Sequence, residues 1–265
     1  MTAIAMTIAG SDSGGGAGVQ ADLKAFSALG VYGASVITAV TAQNTCAVTA
    51  VHEVPAQVVG AQIAAVLDDL SVDAIKLGML FSPAIIAQVA EHLAHFNGPV
   101  VLDPVMIAKS GDALLQEAAV DGLIAELLPQ ATILTPNLPE AAQLLGTASA
   151  ETVSEMIEQG RALLAMGPKA VLMKGGHGTG DVLTDVLISA HFQVELTATR
   201  LDTQNTHGTG CTLSSAIAAG LATGLDPEHS VRMAHSYLQK AIRAADTLQI
   251  GSGHGPVHHF TGLWA

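Results

Sequence analysis

The chain has 265 residues, 49% of them apolar and only 12% charged, which is enough apolar material for one large buried α/β core. Its 23 acidic residues against 10 basic ones give a net charge of −13, which opposes nucleic acid and anionic membrane as partners. Two cysteines exclude a disulfide framework; with no signal-peptide pattern and no apolar run of about 18 residues, a cytoplasmic location is expected.

Short apolar runs alternate with amphipathic segments along the chain. AIAMTIA at 3–9 predicts a first strand. It leads into the glycine-rich loop beginning at Gly10 and a helix over 17–29. Asp22 in that helix is either a solvated acid or, being near the loop, a substrate contact. A second strand covers 32–41 and delivers Gln43, whose amide suits an aminopyrimidine edge but also suits capping a turn. Pro55 fits the first turn of a helix reaching about residue 70. A strand at 74–77 precedes Met79, and Ser82-Pro83 starts the next helix. Strand 99–102 ends at Asp103, a helix follows near 113–128, and strand 131–134 leads to Asn137. Asn137 and Glu140 have the spacing of a capping box. A helix at 151–166, a strand at 169–173 ending at Lys174, and a hairpin of 181–188 with 191–199 come next. The remainder predicts helices at 209–223 and 227–246. This βαβ alternation predicts one domain over 1–265 with a mostly parallel sheet flanked by helices and a late antiparallel pair. Ligands of such sheets bind beyond the carboxyl ends of the strands. Asp12, Gln43, Met79, Asp103, Asn137 and Lys174 all fall there.

Two glycine-rich turns open helices, at 10–18 and at Gly208-Thr209-Gly210. No GxxxxGK[ST] occurs, which excludes a P-loop, and the strand after the first turn ends without the acid of a dinucleotide site. The second turn places Cys211 at a helix N-terminus. Amides and dipole there attract an anion and are expected to lower the thiol pKa; the bland reading is an inert buried thiol. Cys46 lacks that setting and reads as structural. Asp103 suits a magnesium ion that keeps its waters. Lys174-Gly175-Gly176 would let a nucleotide approach the backbone. His258-His259 reads as a structural or surface pair.

These residues together resemble the ribokinase-like superfamily, and within it the bacterial hydroxymethylpyrimidine/phosphomethylpyrimidine kinases of thiamine biosynthesis. The resemblance is carried by AGSDSGGGAGVQADLKAFSALGVYGASVITAVTAQNT at 9–45, KLGML at 76–80, LDPVMIAKSGDALL at 102–115, LTPNLPEAAQLLG at 134–146, VLMKGGH at 171–177 and NTHGTGCTLSSAIAAGLA at 205–222. It implies a three-layer α/β ribokinase-like fold and an ATP-dependent kinase acting twice, first on the alcohol and then on its monophosphate. It also implies that Gln43 binds the pyrimidine edge, with Gly10, Asp22, Met79 and Val105 around it. Asp103 and Glu140 would serve Mg2+ and the phosphates. Lys174, Gly175, Gly176, Asn137 and Thr206 would face ATP, and Gly208, Thr209, Gly210 and Cys211 would form the anion hole. The wider superfamily usually carries Asp where this chain has Cys211, a departure shared by this kinase family. A monovalent cation and a homodimer belong to the same expectation. A pyridoxal kinase and a non-catalytic small-molecule sensor remain the alternatives.

Overall fold

The computed structural model describes residues 1–106, 114–116, 118–176 and 180–264. Nine strands form one sheet in the order β3-β2-β1-β4-β5-β6-β7-β8-β9. The parallel centre consists of β2 (Tyr32–Gln43), β1 (Ile4–Asp12), β4 (Ala74–Leu77), β5 (Val100–Leu102), β6 (Ile133–Leu134) and β7 (Ala170–Met173). β3 (Val48–Glu53) joins one edge antiparallel, and β8 (Val182–Ser189) with β9 (Gln193–Thr199) complete the other.

The short apolar runs are buried on both faces, and their residues alternate between two cores. Ile75, Leu77, Val100, Leu102, Val171 and Met173 face one core, which α2 (Ala56–Leu67), α3 (Pro83–Leu93), α5 (Leu138–Leu145) and α6 (Val153–Leu164) cover. Ala74, Val101, Ile133, Ala170 and Leu172 face the other, under α1 (Gly18–Ala28), α7 (Thr209–Ala222) and α8 (Pro227–Arg243). The result is the expected three-layer α/β architecture. The residues of α7 from Ser214 to Gly220, small except for Ile217, are all buried, so this helix lies close against the sheet. Among the described residues no helix is long and apolar enough to cross a membrane.

Four expectations are corrected. No element was expected over 48–53, but these residues form β3, an edge strand with mostly accessible side chains and no apolar run. The strand expected over 32–41 continues to Gln43, because β3 pairs with its end. Pro55 stands just before α2 and not within its first turn. The helix expected near 113–128 begins among residues outside the described set. Its described part is a short α4 (Ala119–Gly122), a π-helical turn at Leu123–Leu127 and a 3-10 turn at Leu128–Gln130, where Pro129 lacks the N–H that would continue the helix.

Candidate active site

The parallel strands all end at one edge of the sheet, and α7 starts there. Gly208 enters α7 at φ 79, a left-handed conformation that favours glycine. It packs against the Gly16 carbonyl so closely that a β-carbon would overlap it. The two glycine-rich turns are therefore interlocked. Asp12 ties them further: it accepts hydrogen bonds from the Gly14, Gly16 and Ala17 N–H groups and lies 2.8 Å from His207 Nε2. Burial opposes its ionisation, but His207 and the loop amides outweigh burial and hold Asp12 below the usual carboxylate range.

One half of the site is charged. Asp103 Oδ1 lies 2.8 Å from Lys174 Nζ and accepts from Thr135 Oγ1 at 3.2 Å, while Oδ2 accepts from Ser214 Oγ at 3.1 Å. Glu140 Oε2 lies 3.9 Å from the same ammonium. A β-carbon on Gly210 would sit 3.6 Å from both Asp103 Oδ2 and Lys174 Nζ, so the first turn of α7 faces this group. Burial would raise Asp103, but Lys174 and Lys76 hold it low. Burial would lower Lys174, but Asp103 and Glu140 hold it high. Glu140 rises to about 7, through burial against the pull of Lys174 and with the push of Asp103. The capping box is present, with Glu140 N–H donating to Asn137 Oδ1 and Asn137 N–H to Glu140 Oε2, both at 2.8 Å. Glu140 thus caps α5 and reaches the charged cluster at once.

The other half is apolar. Met79, Val105, Ala39, Leu114 and Phe81 form a small separate cluster, and Gly10 lies under the Met79 sulfur. Phe81 has φ 69, the one positive value among the described non-glycine residues, and sits in this wall. A register shift between Ala42 and Gln43 breaks the ladder at the end of β2. The Gln43 amide lies 3.0 Å from Thr41 Oγ1 and 3.4 Å from His207 Nε2. Thr206 lies in the turn before Gly208, its carbonyl accepting from the Thr209 N–H.

Three expectations change here. Asp22 is neither solvated nor on the pocket surface. It has no exposure and accepts from Thr7 Oγ1, Ser215 Oγ and Lys76 Nζ at 2.6, 2.5 and 2.9 Å, forming the floor beneath α7. Cys211 is not acidified. The residue is only half-buried, yet desolvation, with Asp22 and Asp103 nearby, pushes its thiol up to about 11 against the pull of Lys76 and a hydrogen bond from the Gly18 N–H. Desolvation, helped by two buried carboxylates, overcomes the helix end. Gly175 is needed by the fold itself, since a β-carbon there would overlap the Thr184 carbonyl; its N–H donates to Asp185 Oδ1 at 2.8 Å. Gly176 is the exposed glycine of the pair. His177 lies outside the described residues, and His258 and His259 are buried, His259 bonding Thr212.

Sequence reasoning missed His207, Lys76, Ser214 and Asp185. Lys76 alone left a signal, as a cation inside the apolar run AIKL. Among the described residues no cluster of three or more His, Cys, Asp or Glu side chains could cage a metal. Two carboxylates beside one ammonium fit a magnesium ion carried by phosphate oxygens and water, which asks few ligands of the protein.

The sequence pattern of a family described as phosphomethylpyrimidine kinase matches residues 12–258. A hydroxymethylpyrimidine/phosphomethylpyrimidine kinase from Rhizobium meliloti is 57% identical over 264 residues, covering 100% of this chain and 99% of the relative. The chain belongs to the phosphomethylpyrimidine kinase family. Solved structures agree. A phosphomethylpyrimidine kinase from Clostridium difficile superposes with a TM-score of 0.80 at 45% identity, covering 90% of this chain and 99% of that one. An ADP complex of Bacillus subtilis pyridoxal kinase superposes with a TM-score of 0.90 at 36% identity, covering 98% of each. For a phosphomethylpyrimidine kinase the division of the site is chemically sensible: phosphoryl transfer asks for charge stabilisation at one end and positioning at the other.

Proposed function

We propose that this chain transfers the terminal phosphoryl group of ATP to the hydroxymethyl oxygen of 4-amino-5-hydroxymethyl-2-methylpyrimidine, and then a second one to the resulting monophosphate. The observation that carries the reading is the start of α7 facing Lys174 and Asp103, with the Gln43 amide reaching His207 in the same turn. The apolar wall would take the methylpyrimidine ring, and Gln43 its aminopyrimidine edge. The Gly208–Cys211 amides would stabilise charge on the transferred group, and Lys174 would meet the nucleotide phosphates. Mg2+, when bound, would neutralise those phosphates, and Asp103 and Glu140 are the groups that would hold it. We place the enzyme in the cytoplasm as a homodimer.

In the first step the alcohol oxygen bonds to the γ-phosphorus, the bond to ADP breaks, and the alcohol proton must leave. Cys211 thiolate, at the start of α7, is our candidate acceptor, and a thiol near 11 is ionised in only about one molecule in ten thousand at pH 7. In the second step the acceptor is already an oxyanion. The two steps should therefore respond differently to pH. With thiolate as base, kcat/KM for the alcohol climbs about tenfold per pH unit between 7 and 9, as the thiolate fraction does, while the monophosphate step lacks that climb. Cys211→Ala should abolish the climb. A flat wild-type profile for the alcohol removes the base role and leaves the anion hole.

Gln43→Leu should raise KM for the pyrimidine by roughly tenfold, the cost of an unpaired polar edge, with KM for ATP little changed. An unchanged pyrimidine KM removes Gln43 from recognition. The similarity to a pyridoxal kinase supports a second acceptor of the same size, so pyridoxal belongs in the same assay. Absence of ADP release with both acceptors supplied would return the chain to the sensor reading.

A further inference from the structure

His207 has no role in the scheme above, yet it touches both Asp12 and Gln43. Asp12 is an ionised carboxylate surrounded by loop N–H groups, so it can only accept. The proton in its 2.8 Å contact with His207 Nε2 must therefore sit on the histidine. That single proton is committed to Asp12 at 2.8 Å, so what the Gln43 amide meets 3.4 Å away is the shared, positive N–H edge of the ring. At the far end of the Gln43 amide, Thr41 Oγ1 has a single proton, and the Ser11 carbonyl lies 2.9 Å away to receive it. Thr41 is then free to accept.

As placed, Gln43 sets its Nε2 against His207 Nε2 at 3.4 Å and its Oε1 against Thr41 Oγ1 at 3.0 Å. The first contact opposes two donors, and the second asks Thr41 for a proton already engaged. Oxygen and nitrogen of an amide are told apart by their partners. Exchanging the two ends removes both conflicts: Gln43 Oε1 takes the long arm of the His207 N–H that Asp12 already holds, and Gln43 Nε2 donates to Thr41 Oγ1. One lone pair and one N–H then remain, side by side, for a ligand.

We infer that His207, held by Asp12 as an Nε2–H donor, is a positioning residue that fixes which way the Gln43 amide faces, and so selects a ring with an acceptor nitrogen beside an exocyclic amine. The inference rests on the proposed pyrimidine substrate and deepens it. It also gives the interlocked turns a purpose beyond packing. Asp12 belongs to the first turn, His207 to the second, and Gln43 to the strand between them in the site.

The test is calorimetric binding of the aminopyrimidine alcohol, without ATP, beside an analogue that has hydrogen in place of the amine. His207→Phe keeps the ring volume and removes the donor. It should weaken the aminopyrimidine roughly threefold, the lower end of what one hydrogen bond contributes, and leave the desamino analogue nearly unchanged. His207→Gln, whose amide nitrogen reaches the Nε2 position, should restore most of the loss. In a Gln43→Leu background His207→Phe should add nothing, because the group it orients is gone. Should His207→Phe not fold, His207→Asn replaces it, since the shorter amide stops near the Nδ1 position. Equal weakening of both ligands, or a full penalty that persists with Gln43→Leu, overturns the inference and leaves His207 as a loop tie. Binding weakened by Gln43→Leu but untouched by the His207 variants also overturns it and leaves the proposed function standing. No binding of the aminopyrimidine to the wild-type protein overturns both.

Discussion

Lys174→Met should lower kcat/KM for both phosphorylations by roughly 10²–10³-fold, the cost of removing one preorganised charge from a transition state. Among the described residues Lys174 is the ammonium that touches the site from its open side, 2.8 Å from Asp103 and 3.9 Å from Glu140, with its side chain 14% exposed. Methionine keeps the stem and removes the charge. The two carboxylates then share a site with no cation between them. Asp103 loses the neighbour that most lowers it, and Glu140, already near 7, rises further. The stability profile should shift with it. A carboxyl whose folded pKa is raised stabilises the fold fully below its unfolded value near 4.3, and that contribution fades as pH rises through the folded value. In the wild type the fading from Glu140 ends just above pH 7; in Lys174→Met it should extend above that. Urea unfolding at a series of pH values checks this directly. A variant with wild-type turnover removes Lys174 from the chemistry, and an unshifted profile removes it as the partner of Glu140.

What could be read from the sequence was what lies close along the chain. Asn137 and Glu140 are three residues apart, so their mutual capping is a local pattern, and the structure shows both bonds. The strand-end residues were legible because the apolar runs of a parallel sheet mark where each strand stops. β3 was not, because an edge strand with one paired side and accessible side chains carries no such run. The contacts that organise the site were invisible for a different reason. His207 and Asp12 are separated by 195 positions, and Lys76 and Asp22 by 54, so only the finished fold joins them. Cys211 shows the limit most clearly. Its position at a helix start is local and predicts a lowered pKa. The burial that reverses the sign, and the carboxylates from α1 and from just past β5 that add to it, come from the fold.

Lys76→Met should cost roughly 3–5 kcal/mol of folding stability, the penalty for leaving one partner of a buried ion pair alone. Lys76 and Asp22 both have zero exposure and meet at 2.9 Å. Burial would strip the proton from this ammonium, yet Asp22, Cys211 and Asp103 hold its pKa above the ordinary value, so it is a true cation inside the fold. With it gone, Asp22 keeps only the hydroxyls of Thr7 and Ser215, which cannot neutralise a carboxylate. The double variant Lys76→Met/Asp22→Asn should recover more than half of the loss, because the amide carries no buried charge, its oxygen accepts from one hydroxyl and its NH2 donates to the oxygen of the other. Urea melts of the two variants decide it; equal losses would mean that Lys76 contributes packing volume and not charge compensation. The same substitution reads out on Cys211. Ser215 lies one helical turn beyond Cys211 on α7, and Lys76 is the largest influence drawing that thiol down. In Lys76→Met the thiol should therefore titrate above 11. Alkylation rate against pH, in a Cys46→Ser background that removes the exposed thiol, measures it. A midpoint at or below the wild-type value would show that the buried lysine does not reach the mouth of α7, and that the ion pair serves the fold alone.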